Sequence, residues 1–255
     1  MYLGLDVGSV SINAVLIDKE KRIIDFAVDH SGYDHKESIE CIISTICIKS
    51  NINRESIEKI VATGYGRRNV PDTYKTVTEI TCHAMGVHSL FKNAELVIDI
   101  GGQDSKVIKL SKEGFVETFI MNDKCSAGTG RFLEVMAGVM KVDLQEFSLC
   151  GLSSKKPYKI SSTCTVFAES EVISGIAKGV AKEDIIAGIY ESIVSRVMSM
   201  AYSINNAGEV VLTGGVAKNK GVVEFMRKKI SNIKVPFEPQ ITGALGAALI
   251  ACQNE

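Results

Sequence analysis

The 255-residue chain has no tryptophan, and aromatic residues make up only 6% of it. A sugar pocket built on aromatic stacking is therefore poorly supplied. Its 7 cysteines and 4 histidines contain no Cys-x-x-Cys pair and no cluster at zinc-ligand spacing, which excludes a zinc-finger-type site. A formal net charge of −1 gives no electrostatic reason to expect nucleic acid or an anionic membrane as partner. No apolar run approaches the roughly 20 residues that span a bilayer, and Ala244 to Ala251 is short and interrupted by glycine. The P-loop pattern Gly-x4-Gly-Lys-Ser/Thr is missing, and Gly128-Thr129-Gly130 lacks the third glycine of a dinucleotide fingerprint. Strand-like sequence follows Met1 at once, so no signal peptide is expected and the chain reads as cytoplasmic. In that reducing compartment the cysteines are expected as thiols. Cys41, Cys47, Cys82 and Cys252 lie in apolar-periodic segments and read as small core hydrophobes, while Cys150 reads as part of a loop.

What is present begins with two Gly-rich turns, Asp6-Val7-Gly8-Ser9 and Asp99-Ile100-Gly101-Gly102-Gln103-Asp104. Each follows a short apolar run and leads into another, which predicts a strand–turn–strand loop with a carboxylate at its rim. Glycine lets backbone N–H groups approach anionic oxygens closely. Two such loops facing each other across a cleft would grip a polyphosphate, with Asp6 and Asp99 holding Mg²⁺ through its water shell.

The chain alternates strands and helices. Three strands are expected over 2–28, a helix over 36–50, a strand over 57–63 and a helix over 78–91. Strands at 95–100, 104–110 and 115–120 then repeat the opening. Helices follow at 130–140, 166–178 and 183–205, the last with Ile185, Ile189, Ile193 and Val197 on one face. A strand at 209–213, a helix, a short strand near 233–237 and a small-residue helix at 243–252 complete the chain. Two similar α/β lobes result, 1–93 and 94–255, with the final helix able to pack back on the first lobe. Thr213-Gly214-Gly215-Val216-Ala217-Lys218-Asn219 reads as a strand end turning into a helix. Its N–H groups either face the sugar and α-phosphate of a nucleotide or simply make a tight turn.

These loops and the later Thr-Gly-Gly resemble the actin- and hexokinase-like ATPase superfamily, two ribonuclease H-like lobes with the nucleotide in the cleft between them. Three longer stretches narrow the resemblance: Met121 to Phe132 around Cys125, Ile160 to Glu171 around Cys164, and Gly243 to Ala248. They resemble the ATP-dependent activators of 2-hydroxyacyl-CoA dehydratases, the family shared with benzoyl-CoA reductase ATPase subunits, over essentially the whole chain. The resemblance implies a homodimer with one [4Fe–4S] cluster at its interface, ligated by Cys125 and Cys164 of each chain. It implies ATP or ADP with Mg²⁺ as ligands and anaerobic life. It also implies ferredoxin or flavodoxin as electron donor, and an iron–sulfur dehydratase or benzoyl-CoA-type reductase as acceptor. ATP binding and hydrolysis would drive that transfer. A [4Fe–4S] cluster takes four thiolates, and a two-fold axis doubles two to four. Both cysteines stand just before expected helix starts, where negative charge is favoured.

Other residues keep two readings. Gln103 either positions the water that attacks the γ-phosphate or makes a turn hydrogen bond. Asp104 orients Mg²⁺ or caps its turn. Glu169 and Glu171 begin a helix, and a role toward adenine is the minority reading. Lys124 and Arg131 flank Cys125 and either offset cluster charge or are solvated. The histidines, His83 and His88 included, receive no function. Within the superfamily a sugar kinase is the alternative, and a nucleotide-dependent assembly protein of actin type is a third. The resemblance implies Asp6, Asp99 and Gln103 as catalytic. Gly8, Ser9, Gly101, Gly102, Asp104, Gly214, Gly215, Ala217, Lys218 and Asn219 would be nucleotide-binding.

Overall fold

The computed structural model describes residues 1–162, 164–204 and 208–253. Thr163 of the second cysteine stretch and Asn205, where the 183–205 helix was expected to end, lie outside the described residues. The opening residues form β1 (Tyr2–Val7), β2 (Ser11–Ile17) and β3 (Ile23–His30). Beyond them come α1 (His35–Lys49), β4 (Lys59–Thr63), β5 (Lys75–Thr76) and α2 (Glu79–Leu90). The first sheet runs β3-β2-β1-β4-β5, with β2 antiparallel and β4 parallel to β1. Alternate residues of β2 enter two different cores: Ile12, Ala14 and Leu16 join α1, while Val15 and Ile17 join the C-terminal helix. That is the period-2 consequence of a strand covered on both faces.

Asp34 starts α1 by accepting from the N–H groups of Lys36 and Glu37. The helix buries Ile39, Ile42, Ile43, Ile46 and Cys47, a single apolar face. Cys41 falls outside that face and is exposed, which corrects its reading as a core residue; Cys47 and Cys82 are buried as read, and Cys252 is half-buried.

The second block repeats the first. Its strands are β6 (Ala94–Ile100), β7 (Ser105–Leu110), β8 (Val116–Asn122), β9 (Glu209–Thr213) and β10 (Ile233–Lys234). Their order, β8-β7-β6-β9-β10, is the topology of the first sheet strand for strand. The helices are α3 (Gly130–Met140), α4 (Leu144–Cys150), α5 (Thr165–Ala177), α6 (Lys182–Ser203), α7 (Lys220–Arg227) and α8 (Thr242–Ala251). Ile185, Ile189, Ile193 and Val197 of α6 are all buried, as their spacing predicts. Cys150, read as a loop residue, ends α4 instead, a helix started by the Asp143 carboxylate accepting from the Gln145 N–H. Among the described residues no helix is long and apolar enough to cross a membrane.

The chain forms two compact units. One comprises Met1–Val97, Ile108–Thr118 and Pro236–Glu255; the other comprises Ile98–Val107 and Phe119–Val235. In the first, α8 lies flush on β1 and α2 because small residues meet there. A Cβ on Gly4 would sit 1.9 Å from the Ala244 carbonyl oxygen, and one on Gly246 would sit 1.8 Å from that of Cys82. Helix propensity alone favours Ala over Gly by about 1 kcal/mol, but here backbone blocks the added methyl. Gly246→Ala is expected to destabilise by about 3 kcal/mol and to lower Tm by roughly 6–12 °C. A melting curve at or above the parent's would contradict this packing.

Candidate functional site

Each unit carries the same local device at the end of its first strand. In the first, β1 delivers Asp6, which is buried and registered opposite Asn13 of β2 and Thr63 of β4. The Gly8 N–H closes the turn on the Ser11 carbonyl at 3.0 Å. In the second, β6 delivers the buried Asp99, and the Gly101 N–H closes on the Asp104 carbonyl at 3.0 Å. Gly8 and Gly102 are half-buried, as is Ser9, and Gln103 is exposed at its turn.

A second element of the repeat follows the fourth strand of each sheet. Thr63-Gly64 ends β4 and Thr213-Gly214 ends β9. Both glycines have φ near +84°, which suits glycine. A Cβ at Gly64 would meet the Val7 carbonyl oxygen at 2.4 Å and the Asp6 Oδ1 at 2.6 Å; one at Gly214 would meet the Ile100 carbonyl oxygen at 2.3 Å. The sequence places this strand end at Gly64-Tyr65-Gly66, but its equivalence to Thr213-Gly214 escaped the reading, although it is the same dipeptide after the same strand of the repeat.

In the second unit the Thr213 Oγ1 donates to Asp99 Oδ1 at 2.8 Å. Lys106 Nζ lies 2.7 Å from Asp104 Oδ1 and 3.5 Å from Asp99 Oδ2, and all three charged groups are buried. Asp104 Oδ2 is buried without a hydrogen-bond partner. Lys106 also escaped the sequence reading. The available signal was its position two residues after Asp104 on one strand, hence on the same face. In the first unit, His83, given no function from sequence, is buried and shares a hydrogen bond with Thr242 Oγ1 at 3.0 Å. Gly243 lies against both His83 and Asp6: a Cβ there would lie 2.3 Å from Asp6 Oδ2 and 3.3 Å from His83 Nε2.

The Thr-Gly-Gly segment does not run straight from strand to helix. Gly215–Lys218 forms a 3-10 turn, whose closure uses the N–H of Ala217 on Gly214 and of Asn219 on Val216. The Asn219 side-chain oxygen caps α7 through the Val222 N–H at 3.0 Å. Gly215 and Lys218 are exposed.

The cysteine stretches meet within the second unit. Ser126 Oγ and Thr165 Oγ1 share a hydrogen bond of 2.7 Å, which ties the residue after Cys125 to the residue after Cys164. Asn122 Nδ2 donates to the carbonyls of Cys125 and Ala127 at 2.7 and 3.2 Å, fixing that turn. Cys164 is the N-cap of α5, its side chain makes no cap hydrogen bond, and it is exposed; Cys125 is half-buried. Glu171 accepts from the hydroxyls of Ser161 and Ser162 at 2.7 Å. Partial burial works against its ionisation, yet those hydrogen bonds hold the carboxyl below the ordinary carboxylate range. Glu171 thus anchors the strand of chain entering Cys164. Lys124 is exposed, and Arg131 pairs with Glu134 at 3.1 Å. Among the described residues no three His, Cys, Asp or Glu side chains gather as a metal site.

Comparison with known proteins gives a consistent result. The model of the BadF/BadG/BcrA/BcrD ATPase family matches residues 3–251. The chain is 45% identical over 253 residues to the 2-hydroxyisocaproyl-CoA dehydratase activator of Clostridioides difficile, covering 98% of this chain and 95% of that one. It is 43% identical over 251 residues to the (R)-2-hydroxyglutaryl-CoA dehydratase activating ATPase of Acidaminococcus fermentans, covering 98% and 96%. Among solved structures, the activator of the 2-hydroxyisocaproyl-CoA dehydratase from Clostridium difficile with bound ADPNP superposes with a TM-score of 0.93, covering 99% of this chain and 94% of that one. The fold is that of actin-like ATPases.

Proposed function

Because the chain belongs to the BadF/BadG/BcrA/BcrD ATPase family, we propose that it is an ATP-dependent reductive activator of a 2-hydroxyacyl-CoA dehydratase or related reductase. It accepts an electron from ferredoxin or flavodoxin and passes it to an iron–sulfur partner enzyme, with ATP binding and hydrolysis as the drive. The observation that carries this reading is the Ser126–Thr165 hydrogen bond, which sets two thiol-bearing turns side by side in a chain that has no other gathering of cysteines at recognisable spacing.

The residues fit both implied cofactors. Cys125 and Cys164 supply two thiolates, and a second copy of the chain supplies the other two that a [4Fe–4S] cluster takes. Exposed Val166 and Phe167, at 67% and 65%, offer that second copy an apolar surface directly beside Cys164. When bound, such a cluster supplies one-electron redox chemistry. Cys164 is the N-cap of α5, so a cluster held by it would sit at a helix N-terminus, which favours negative charge. Mg²⁺ would be held through water by Asp99 with Asp104, whose Oδ2 makes no hydrogen bond, in the second unit; Asp6 is the corresponding buried carboxylate of the first.

Within this reading each protein group has a definite task. In the turns at Gly8-Ser9 and Gly101-Gly102 the Gly8 and Gly101 N–H groups are used in closure, so the Ser9 and Gly102 N–H groups are the ones presented to phosphate. Gly214, Gly215, Ala217, Lys218 and Asn219 form the wall toward the sugar. Gln103, exposed at its turn, orients the attacking water. The nucleotide acts as the ligand that shifts the chain between states of different affinity for its partner.

Two anaerobic measurements test this. ATP turnover is expected without any added sugar, and reduction of the partner's iron–sulfur centre by the prereduced protein is expected only with ATP present. Turnover that requires a sugar would make the chain a kinase of the same superfamily. Partner reduction at equal rate without ATP would remove the energy-coupled reading.

A further inference from the structure

The second unit contains a cavity of about 600 Å³ that borders the two cysteine turns through Ala127, Ser161 and Ser162 but is lined by neither Cys125 nor Cys164. None of the glycine-turn residues 101–104 or 214–219 lines it. Its walls come from the Lys159–Ser162 segment, the outer face of α6 and the end of α7. Ser192, Ser195, Arg196 and Ser199 of α6 all line it, spaced so that one helical stripe faces the cavity. Lys159, Lys228 and Lys229 stand around it, with Glu191 as the one carboxylate, so three positive charges remain uncompensated. In a chain of net charge −1, that is a marked local concentration.

The cations are not satisfied by the fold. Among the described residues none of Lys159, Arg196 and Lys229 has an ion-pair partner, and Lys228 lies over the Phe225 ring at 3.8 Å. Arg196 Nε is buried with no hydrogen-bond partner. An unpaired buried donor on a charged group costs free energy that a bound acceptor would recover. The arginine stem is also held in place. Gly128 has φ +82°, and a Cβ there would lie 3.0 Å from Arg196 Cγ, so the glycine leaves room for the stem to pass. A guanidinium held by its stem, flanked by hydroxyls and lysines, has the donor set that recognises phosphate. Ile160, Tyr202 and Phe225 add apolar surface, and the volume suits a small organic molecule.

We propose that this cavity binds a phosphorylated small molecule, its phosphate on Arg196 between Lys159 and Lys229. The site is separate from the nucleotide turns and can be occupied at the same time as they are. Calorimetric titration of the anaerobic holoprotein, with ADP in excess, tests it with ribose 5-phosphate, inorganic phosphate and ribose as probes. Ribose 5-phosphate is expected to bind saturably, one per chain, to be displaced by inorganic phosphate, and to outbind ribose, which should not bind. Arg196→Gln is expected to weaken that binding roughly 10-fold or more while leaving ADP affinity unchanged. The double variant of exposed residues, Lys159→Gln with Lys229→Gln, should weaken it several-fold with the fold intact. Absence of saturable binding, or affinity unchanged in the double variant, overturns the proposal. Inorganic phosphate binding as tightly as the sugar phosphate would overturn its organic part.

Discussion

Replacing either Cys125 or Cys164 with Ser is expected to take the anaerobically purified protein from about four irons per dimer to essentially none. The effect should be all-or-none for a geometric reason. Each chain offers two thiols in the paired turns, so losing one residue removes two of four ligands from the dimer at once, and Ser is a poor substitute for thiolate toward iron. The Ser126–Thr165 bond at 2.7 Å couples the two positions, so both replacements should give the same phenotype. Controls come from the other thiols. Cys41 is exposed on α1, in the first unit, and Cys150 is half-buried at the end of α4. Their Ser variants should keep iron and sulfide in full. Iron and acid-labile sulfide assays run beside solution mass decide the matter. Iron retained in Cys164→Ser, or lost in Cys41→Ser, would place the cluster elsewhere. An iron-free parent that turns over ATP normally would remove the redox role altogether.

Much of the framework behind that expectation can be read from the residues. Short apolar runs ending at Asp-x-Gly announce β1 and β6, because a strand buried on both faces and glycine turn chemistry are local signals. The long α6 is legible because Ile185, Ile189, Ile193 and Val197 recur at helical spacing and are all buried. The missed elements have weak local signals. Strand β5 is two residues long and both are exposed, so only its pairing with β4 defines it. Helix α4 buries Phe147 alone, leaving no apolar periodicity to read. The site divides in the same way. Asp6 and Asp99 stand out beside glycines, whereas Lys106 looks like an ordinary strand lysine until the fold buries it between two carboxylates. Cys125 and Cys164 are 39 residues apart, as are the Ser126 and Thr165 that join them. No spacing rule brings such positions together; only the family resemblance named them.

Lys106→Met is expected to cost about 3–5 kcal/mol of stability and most of the ATP turnover. Lys106 is 2% exposed, with its ammonium 2.7 Å from Asp104 and 3.5 Å from Asp99. Met keeps the length and apolar stem but withdraws the cation from two buried carboxylates, and breaking a buried pair on one side leaves uncompensated charge. Turnover should fall as well, because repulsion would displace Asp99, the carboxylate proposed to hold Mg²⁺. The two effects can be separated. Adding Asp104→Asn to Lys106→Met removes one of the stranded charges and should recover much of the lost Tm, since neutralising both partners of a buried pair is far cheaper than neutralising one. Turnover should stay low in the double variant if Lys106 itself fixes the phosphate-side geometry. Full recovery of both Tm and turnover would reduce Lys106 to a counter-ion for Asp104. A single variant as stable as the parent would contradict the buried pairing itself.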